Sequence, residues 1–387
     1  MKLSSCNNVS DFRRIARRKL PAPVFHYMDG GADDERTLGR NTAAFDDYEL
    51  LPSQLSDVSR VDLGTELFGQ PVEWPVMISP TGASKLFHRD GESAVVRNAA
   101  RFGMIYSLST LGTATIEDAA AVADCPKLYQ LYIFRDRGLT EEWIERCKAS
   151  GYVALALTVD TPVAGNRERD FVYGFSAPPR SRLRQALSFA AHPGWLIRAL
   201  LKKDLDMVNI TRSESAARAI NKSINQGVRH FIDQELERSL TWKDVEWLRA
   251  RWDGALVIKG VQTVEDCRKA ADAGATAVML SNHGGRQLES SPAPVDCIAA
   301  VADALRDRLE IICDGGIRRG THVVKAIALG ANACSIGRAY LFALAAGGEA
   351  GVQRALTLLR AEVERTMALA GCNSIGKLGR SYVNRRV

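Results

Sequence analysis

The 387-residue chain carries eight cysteines (Cys6, Cys125, Cys147, Cys267, Cys297, Cys313, Cys334 and Cys372), but no two of them lie at CxxC spacing. That excludes a zinc site or a redox dithiol, and no metal site is expected. Most of the cysteines sit in apolar runs such as Ile311-Ile312-Cys313, where a thiol behaves as a small hydrophobe. No stretch reaches the roughly 18 uninterrupted apolar residues that a spanning helix needs. No signal peptide is legible in Met1-Lys2-Leu3-Ser4-Ser5-Cys6, so a reducing cytoplasm is the expected location. Aromatic residues make up only 7% of the chain, beside 46% hydrophobic and 25% charged residues, which excludes disorder, collagen-like repeats and a coiled coil. The net charge of +6 is mild, so where it sits matters more than its sum. Length alone leaves open several small domains or one enlarged α/β barrel of about 250 residues.

Eight short apolar runs follow Pro75: Val76–Ser79, Met104–Ser109, Leu128–Tyr132, Val153–Val159, Ala255–Lys259, Ala277–Ser281, Glu310–Cys313 and Ala333–Ile336. Helix-like segments separate them, among them Glu92–Phe102, Ile116–Ala123, Thr140–Ala149, Val264–Ala273, Pro294–Arg306 and His322–Leu329. Several end at glycines suited to a C-terminal cap: Gly103, Gly151, Gly274 and Gly330. Near-continuous apolar strands alternating with helices are parallel strands buried on both faces. Eight such units predict a (β/α)8 TIM barrel of the α/β class, with an open doubly wound sheet as the alternative.

On this reading residues 1–387 form one domain, with an N-terminal helical arm (1–74), a barrel (75–350), a long insertion after strand 4 (163–240), and a C-terminal helix and tail (351–387). In the arm, Asp11–Lys19 reads as a short amphipathic helix capped by Ser10, its basic face in solvent and Phe12, Ile15 and Ala16 docked on the barrel. Every strand run stops in polar or glycine-rich residues, and in a barrel these ends converge on the rim where active sites are built.

The sharpest motif is Ser281-Asn282-His283-Gly284-Gly285-Arg286-Gln287-Leu288, at the end of strand 6. A histidine there can take a proton near neutral pH. The glycines allow close backbone approach, and the arginine can fork onto a carboxylate. This octapeptide resembles the signature of the FMN-dependent L-2-hydroxy-acid oxidase/dehydrogenase family, which includes glycolate oxidase, lactate dehydrogenases and mandelate dehydrogenase. The resemblance runs from Leu20-Pro21 and Phe25-His26-Tyr27-Met28-Asp29-Gly30-Gly31-Ala32 through Gln130-Leu131-Tyr132, Thr158-Val159-Asp160-Thr161-Pro162 and Ile258-Lys259-Gly260. It ends at Asp314-Gly315-Gly316-Ile317-Arg318-Arg319-Gly320 and Gly337-Arg338.

The resemblance implies oxidation of a small L-2-hydroxy acid to the 2-oxo acid, with FMN as cofactor. His283 is then the base, and Asp160 orients its ring and stabilises the imidazolium. Arg286 and Arg167 grip the substrate carboxylate, Tyr27 adds a hydrogen bond to it, and Tyr132 bonds the substrate oxygen. Proton abstraction to a carbanion and hydride transfer with His283 taking the hydroxyl proton both fit this set. Gly315, Gly316, Arg318, Gly337 and Arg338 are expected to cradle the FMN phosphate. Asp314 would face ribityl hydroxyls, and Lys259 would sit at the pyrimidine edge of the flavin. Pro80, Thr81, Gly82, Ser109, Gln130, Thr158 and Ser281 complete the flavin contacts by resemblance.

Leu111 and Ala164 stand where glycolate oxidase has bulkier residues, which implies a roomier pocket for lactate or an aromatic analogue such as mandelate. Gly82 stands where family oxidases tend to carry Ala. It favours a dehydrogenase that passes electrons to quinone or another membrane acceptor over an oxidase that produces hydrogen peroxide from oxygen. A catalytically silent flavin-binding barrel is the other alternative. Residues 177–212 hold seven basic and two acidic residues, a net +5 (seven minus two), interleaved with Leu183, Leu187, Phe189, Trp195 and Ile197. Such a segment reads as a peripheral contact with the cytoplasmic face of a membrane; a flap over the site or a subunit contact is the alternative. Nucleic acid is not an expected partner, and the resemblance implies a homo-oligomer, commonly a tetramer.

Overall fold

The apolar runs become strands because their residues are buried on both faces. A computed structural model describes residues 2–175, 182–201, 206–211 and 235–386. Its central strands are β1 (Val76–Ile78), β2 (Tyr106–Ser109), β3 (Lys127–Leu131), β4 (Ala154–Thr158), β5 (Ala255–Val261), β6 (Ala277–Ser281), β7 (Glu310–Asp314) and β8 (Ala333–Ile336). They pair in parallel in the order β1-β8-β7-β6-β5-β4-β3-β2. The two ends meet where Ile78 N donates to Ile105 O at 3.0 Å, which closes the sheet into a barrel and rules out the open alternative. β2 starts two residues later than its apolar run, because Met104 N bonds back to Ala99 O at 2.9 Å at the end of the preceding helix.

Strand alternation sorts the side chains into two cores. Met77, Ile105, Leu128, Ala154, Ala156, Val257, Ala277, Met279, Ile312 and Ala333 fill the barrel interior, above Leu67 and Phe68 of a small hairpin (Thr65–Leu67 with Gln70–Val72) that plugs its N-terminal end. Outward residues such as Leu155, Leu157, Ile258 and Val278 pack under the helices. Beyond the apolar interior the inward positions turn polar on every strand, and Ser79, Ser109, Gln130, Thr158, Lys259, Ser281, Asp314 and Ser335 form one buried layer. The barrel thus has a greasy base and a polar lid layer.

The arm wraps the outside. Helix α1 (Val9–Lys19) is capped by Asn8, whose side chain accepts from Asp11 N at 3.1 Å, so the cap lies two residues before the expected Ser10. Ser10 is itself helical, and the longer-reaching amide one turn back from Asp11 takes the capping role. Phe12, Ile15 and Ala16 are buried, and α1 lies against the C-terminal helix (Arg338–Leu369), with Lys19 Nζ donating to Ala346 O at 2.7 Å. That long helix bends at Gly347 and Gly348. Helices α2 (Ala22–Asp29) and α3 (Arg36–Ala43) carry the chain over the C-terminal rim.

The stretch between β4 and the helix Trp242–Arg249 contains helices at Glu168–Val172, Arg182–Ala190, Pro193–Leu201 and Val208–Thr211. Ser188 Oγ accepts from Ala22 N at 2.8 Å, and Trp195 Nε1 donates to Leu86 O at 2.9 Å, so two of these helices rest on the arm and on the loop after β1. Leu183, Leu187 and Ile197 are 71%, 61% and 55% exposed. Of the basic residues singled out in 177–212, Arg180, Lys202, Lys203 and Arg212 lie outside the described residues, as do Asp204 and the side chain of Arg182.

Candidate active site

At the end of β6 the chain makes three successive left-handed steps, with φ of 57° at His283, 66° at Gly284 and 72° at Gly285. A Cβ on Gly285 would stand 2.5 Å from Leu38 N, so glycine is required there, and one on Gly284 would stand 2.7 Å from an Arg338 nitrogen and displace that guanidinium. Asn282 pins the turn by exchanging two amide hydrogen bonds with Asn41 of α3, at 2.8 and 2.7 Å, and by accepting from Gly285 N at 2.9 Å. The strained backbone at His283 is therefore held from both sides.

The turn aims His283 at Asp160, whose Oδ1 lies 2.9 Å from Nδ1. Room for that carboxylate comes from an irregularity in β5: the register shifts between Lys259 and Val261, and Gly260, at φ 103°, sits where a Cβ would be 2.6 Å from Asp160. Burial opposes charge on Asp160, but His283 and Lys259 outweigh it and hold the carboxyl below its ordinary value. An ionised carboxylate only accepts, so Nδ1 carries the ring proton and Nε2 is left with a free lone pair. Burial lowers the His283 pKa, against the opposing pull of Asp160, and Lys259 and Arg286 lower it further.

Below them the polar layer is cross-linked strand to strand. Asp314 accepts from Ser79 Oγ at 2.9 Å and Ser281 Oγ at 2.8 Å, and pairs with Lys259 Nζ at 3.2 Å. Ser109 Oγ donates to Gln130 Oε1 at 2.8 Å, and Gln130 Nε2 to Thr158 Oγ1 at 2.9 Å. Only Ser335 Oγ in this layer is buried without a partner among the described residues.

A cavity of about 240 Å³ opens above this layer. Tyr27, Tyr132, Arg167, His283 and Arg286 line it on one side, with Leu111 and Ala164. Arg286 Nη1 donates to Tyr27 O at 2.7 Å and Gly30 O at 3.0 Å, and its guanidinium lies 5.1 Å from the centre of the Tyr27 ring. Burial first, and then Arg167, push Arg286 down to about 9. Arg167 is 3.8 Å from Asp170 and also faces Tyr27. Burial raises the Tyr132 hydroxyl well above its ordinary value, so it stays protonated and can donate.

At the other end stand Pro80, Thr81, Gly82, Gly315, Gly316, Arg318, Gly337 and Arg338. Gly316, at φ 77°, has Asn41 O 1.7 Å from where a Cβ would be, so the loop after β7 closes tightly under α3. Arg338 donates to Met28 O at 3.0 Å, Gly284 O at 2.8 Å and Gly30 O at 2.7 Å, while Arg318 Nη1 reaches only its neighbour Ile317 O at 2.8 Å. Burial pushes both guanidiniums down to about 10. They remain cationic at neutral pH, and no ion pair to either is seen among the described residues. Two desolvated cations beside a glycine loop, with an orphan hydroxyl nearby, fit an anion with polar attachments.

All the site residues expected from sequence lie at this one end of the barrel, although Asp314 spends both carboxylate oxygens on Ser79, Ser281 and Lys259. Sequence reading missed Ser79 and Ser335, which strand parity alone could have found. It also missed Phe87 and Leu236, which line the cavity from segments that carry no local signal.

The sequence model of the FMN-dependent dehydrogenase family matches residues 16–385. An L-lactate dehydrogenase of Xanthomonas campestris pv. campestris is 40% identical over 377 residues, 97% of this chain and 96% of that protein. Glycolate oxidase 3 of Oryza sativa is 37% identical over 376 residues, 97% and 95% of the two chains. The crystal structure of the monotopic membrane protein (S)-mandelate dehydrogenase superposes with a TM-score of 0.90 at 34% identity, covering 98% of this chain and 100% of that one. With its closed barrel, its histidine–aspartate pair and its two arginine pairs, the chain belongs to the FMN-dependent dehydrogenase family.

Proposed function

We propose that the protein oxidises an L-2-hydroxy acid, lactate or an aromatic analogue such as mandelate, to the 2-oxo acid and passes the electrons to quinone or another membrane acceptor. One observation carries this reading: His283, with a free Nε2 lone pair and Asp160 behind it, shares one cavity with Arg286 and Arg167, two cations whose like charges oppose each other. A substrate carboxylate relieves that repulsion and fixes the adjacent carbon beside His283. Tyr27 and Tyr132, which line the same cavity, would donate to substrate oxygens.

Arg318, Arg338 and the Gly315, Gly316 and Gly337 backbone would hold the FMN phosphate. Ser335 and the Pro80–Gly82 segment would meet the rest of the cofactor, together with Ser109, Gln130, Thr158, Lys259 and Ser281. When bound, the flavin supplies the two-electron acceptor. Substrate oxidation releases two electrons and two protons: His283 takes one proton at Nε2, and the other would pass with the electrons to the bound flavin. Asp160 then faces an imidazolium at 2.9 Å and stabilises it. Asp314 acts from beneath, as the counter-ion that keeps Lys259 charged and in place.

No helix among the described residues is long and apolar enough to cross a membrane. The exposed Leu183, Leu187 and Ile197 support a peripheral contact with a cytoplasmic membrane face through 177–212. Sedimentation with anionic vesicles tests that contact: no binding by the full chain rejects it. The homotetramer implied by resemblance is read by analytical ultracentrifugation. For the reaction, L-lactate, L-mandelate or glycolate is added anaerobically to the purified flavoprotein. Bleaching of the flavin band by lactate or mandelate is expected, glycolate as the best substrate overturns the pocket argument, and inertness to all three overturns the reading.

A further inference from the structure

The loop that follows β4 has no secondary structure from Asp160 to Gly165, so its backbone groups need partners from elsewhere. One side chain supplies three of them. Gln287 Nε2 donates to Asp160 O at 3.0 Å and to Val163 O at 2.8 Å, and Gln287 Oε1 accepts from Gly165 N at 3.1 Å. The two loops also touch directly: a Cβ on Gly165 would stand 2.2 Å from Arg286 O. An amide that spends both its donor and its acceptor groups on one short loop acts as a missing strand neighbour.

What this clamp holds is the main chain of Asp160. The carboxylate has little else to fix it, since Oδ1 meets His283 and Oδ2 is buried without a partner among the described residues. On its N-terminal side the backbone is tied by Val159 N to Lys259 O at 2.9 Å; on the other side the tie is Gln287. Val163 and Ala164 of the clamped loop line the cavity, and Arg167 follows them. We propose that Gln287 is a positioning residue that sets Asp160 against His283 and couples that pair to the substrate-facing loop. This rests on the reading of His283 as the base, and it assigns to the residue beside Arg286 a task in the geometry of the pair.

The charged groups that face His283 are Asp160 from the loop after β4, Lys259 from β5 and Arg286 from its own loop. Of these only Asp160 favours the imidazolium, so loosening it moves the His283 titration to lower pH. The test is NMR of histidine-labelled holoprotein without substrate, with the His283 resonance identified by its loss in His283→Gln. Gln287→Met keeps the bulk and removes the hydrogen bonds; Gln287→Ala removes both. We expect the His283 midpoint to fall by about half a pH unit or more in both variants, with flavin content retained. A midpoint unchanged in both overturns the proposal. A shift in Ala alone also overturns it, because bulk and not hydrogen bonding would then hold the loop. Flavin bleaching of the wild type by substrate tests the proposed reaction separately, so the two can fail independently.

Discussion

The floor and the rim of the cavity use different means to place their polar groups. On the floor, Lys259, Ser281, Asp314 and Ser79 come from four strand ends and bond side chain to side chain, so the barrel register fixes their spacing. On the rim, Tyr27 comes from the arm, Arg167 from the stretch after β4 and Arg286 from the loop after β6. Arg286 bonds the Tyr27 carbonyl, and beside them an ion cluster ties the arm to the stretch after β4: Arg13 and Arg169 share Asp29, and Arg169 also meets Glu35. A floor set by strand register tolerates little change. A rim stitched from loops can be altered to take another substrate while the chemistry beneath stays in place.

The largest effect is expected at the junction of the two. His283→Gln should retain FMN and slow flavin reduction by substrate on the order of 10²–10⁴-fold in anaerobic stopped-flow, the usual worth of a positioned base; near-wild-type reduction sinks its role. Next, breaking the floor with Lys259→Met strands the buried Asp314 carboxylate. A loss of about 3–5 kcal/mol in denaturant unfolding is expected, together with weaker flavin retention. If the loss is no larger than for a rim variant, the contrast fails.

Narrowing the rim with Leu111→Trp should shift preference from mandelate towards glycolate by about 1–3 kcal/mol in relative kcat/KM, with flavin content unchanged. Arg169→Ala removes a partly exposed arm of the ion cluster while Asp29 keeps Arg13, so stability should fall by only about 1 kcal/mol or less, with a few-fold rise in KM.

A separate effect is one of pH. His26, stacked on Tyr173 at the rim, is lowered to about 4 from 6.5, chiefly by burial and then by Arg169. A depressed pKa favours the neutral ring in the folded state. Its contribution is therefore complete above pH 6.5 and is lost as pH falls towards 4. His26→Phe should flatten that part of the stability curve, and an unchanged curve assigns the acid sensitivity elsewhere.

Much of this was legible in the residues. Eight buried runs with polar ends predicted the barrel and the face that carries the site, because strand periodicity and burial are local properties. The octapeptide from Ser281 to Leu288 marked the base. Parity could also have flagged Ser335 as an inward polar group. Phe87 and Leu236 could not be found that way, because each reaches the cavity through the path of a loop. Asp314 shows the same limit from the other side: its place at a strand end was plain, whereas its use as a counter-ion to Lys259 depends on how three neighbouring strands register.

By itself, then, the sequence determined the α/β class, the number of barrel strands and the residue types gathered at their C-terminal ends, since apolar periodicity and glycine placement act over a few residues. Tertiary structure alone decided that the sheet closes, that Gly260 makes room for Asp160 beside His283, and that Arg286 and Arg338 are oriented by carbonyls at the end of α2. Most of these contacts join segments a hundred or more residues apart, and no local pattern encodes the distance at which such segments come to rest.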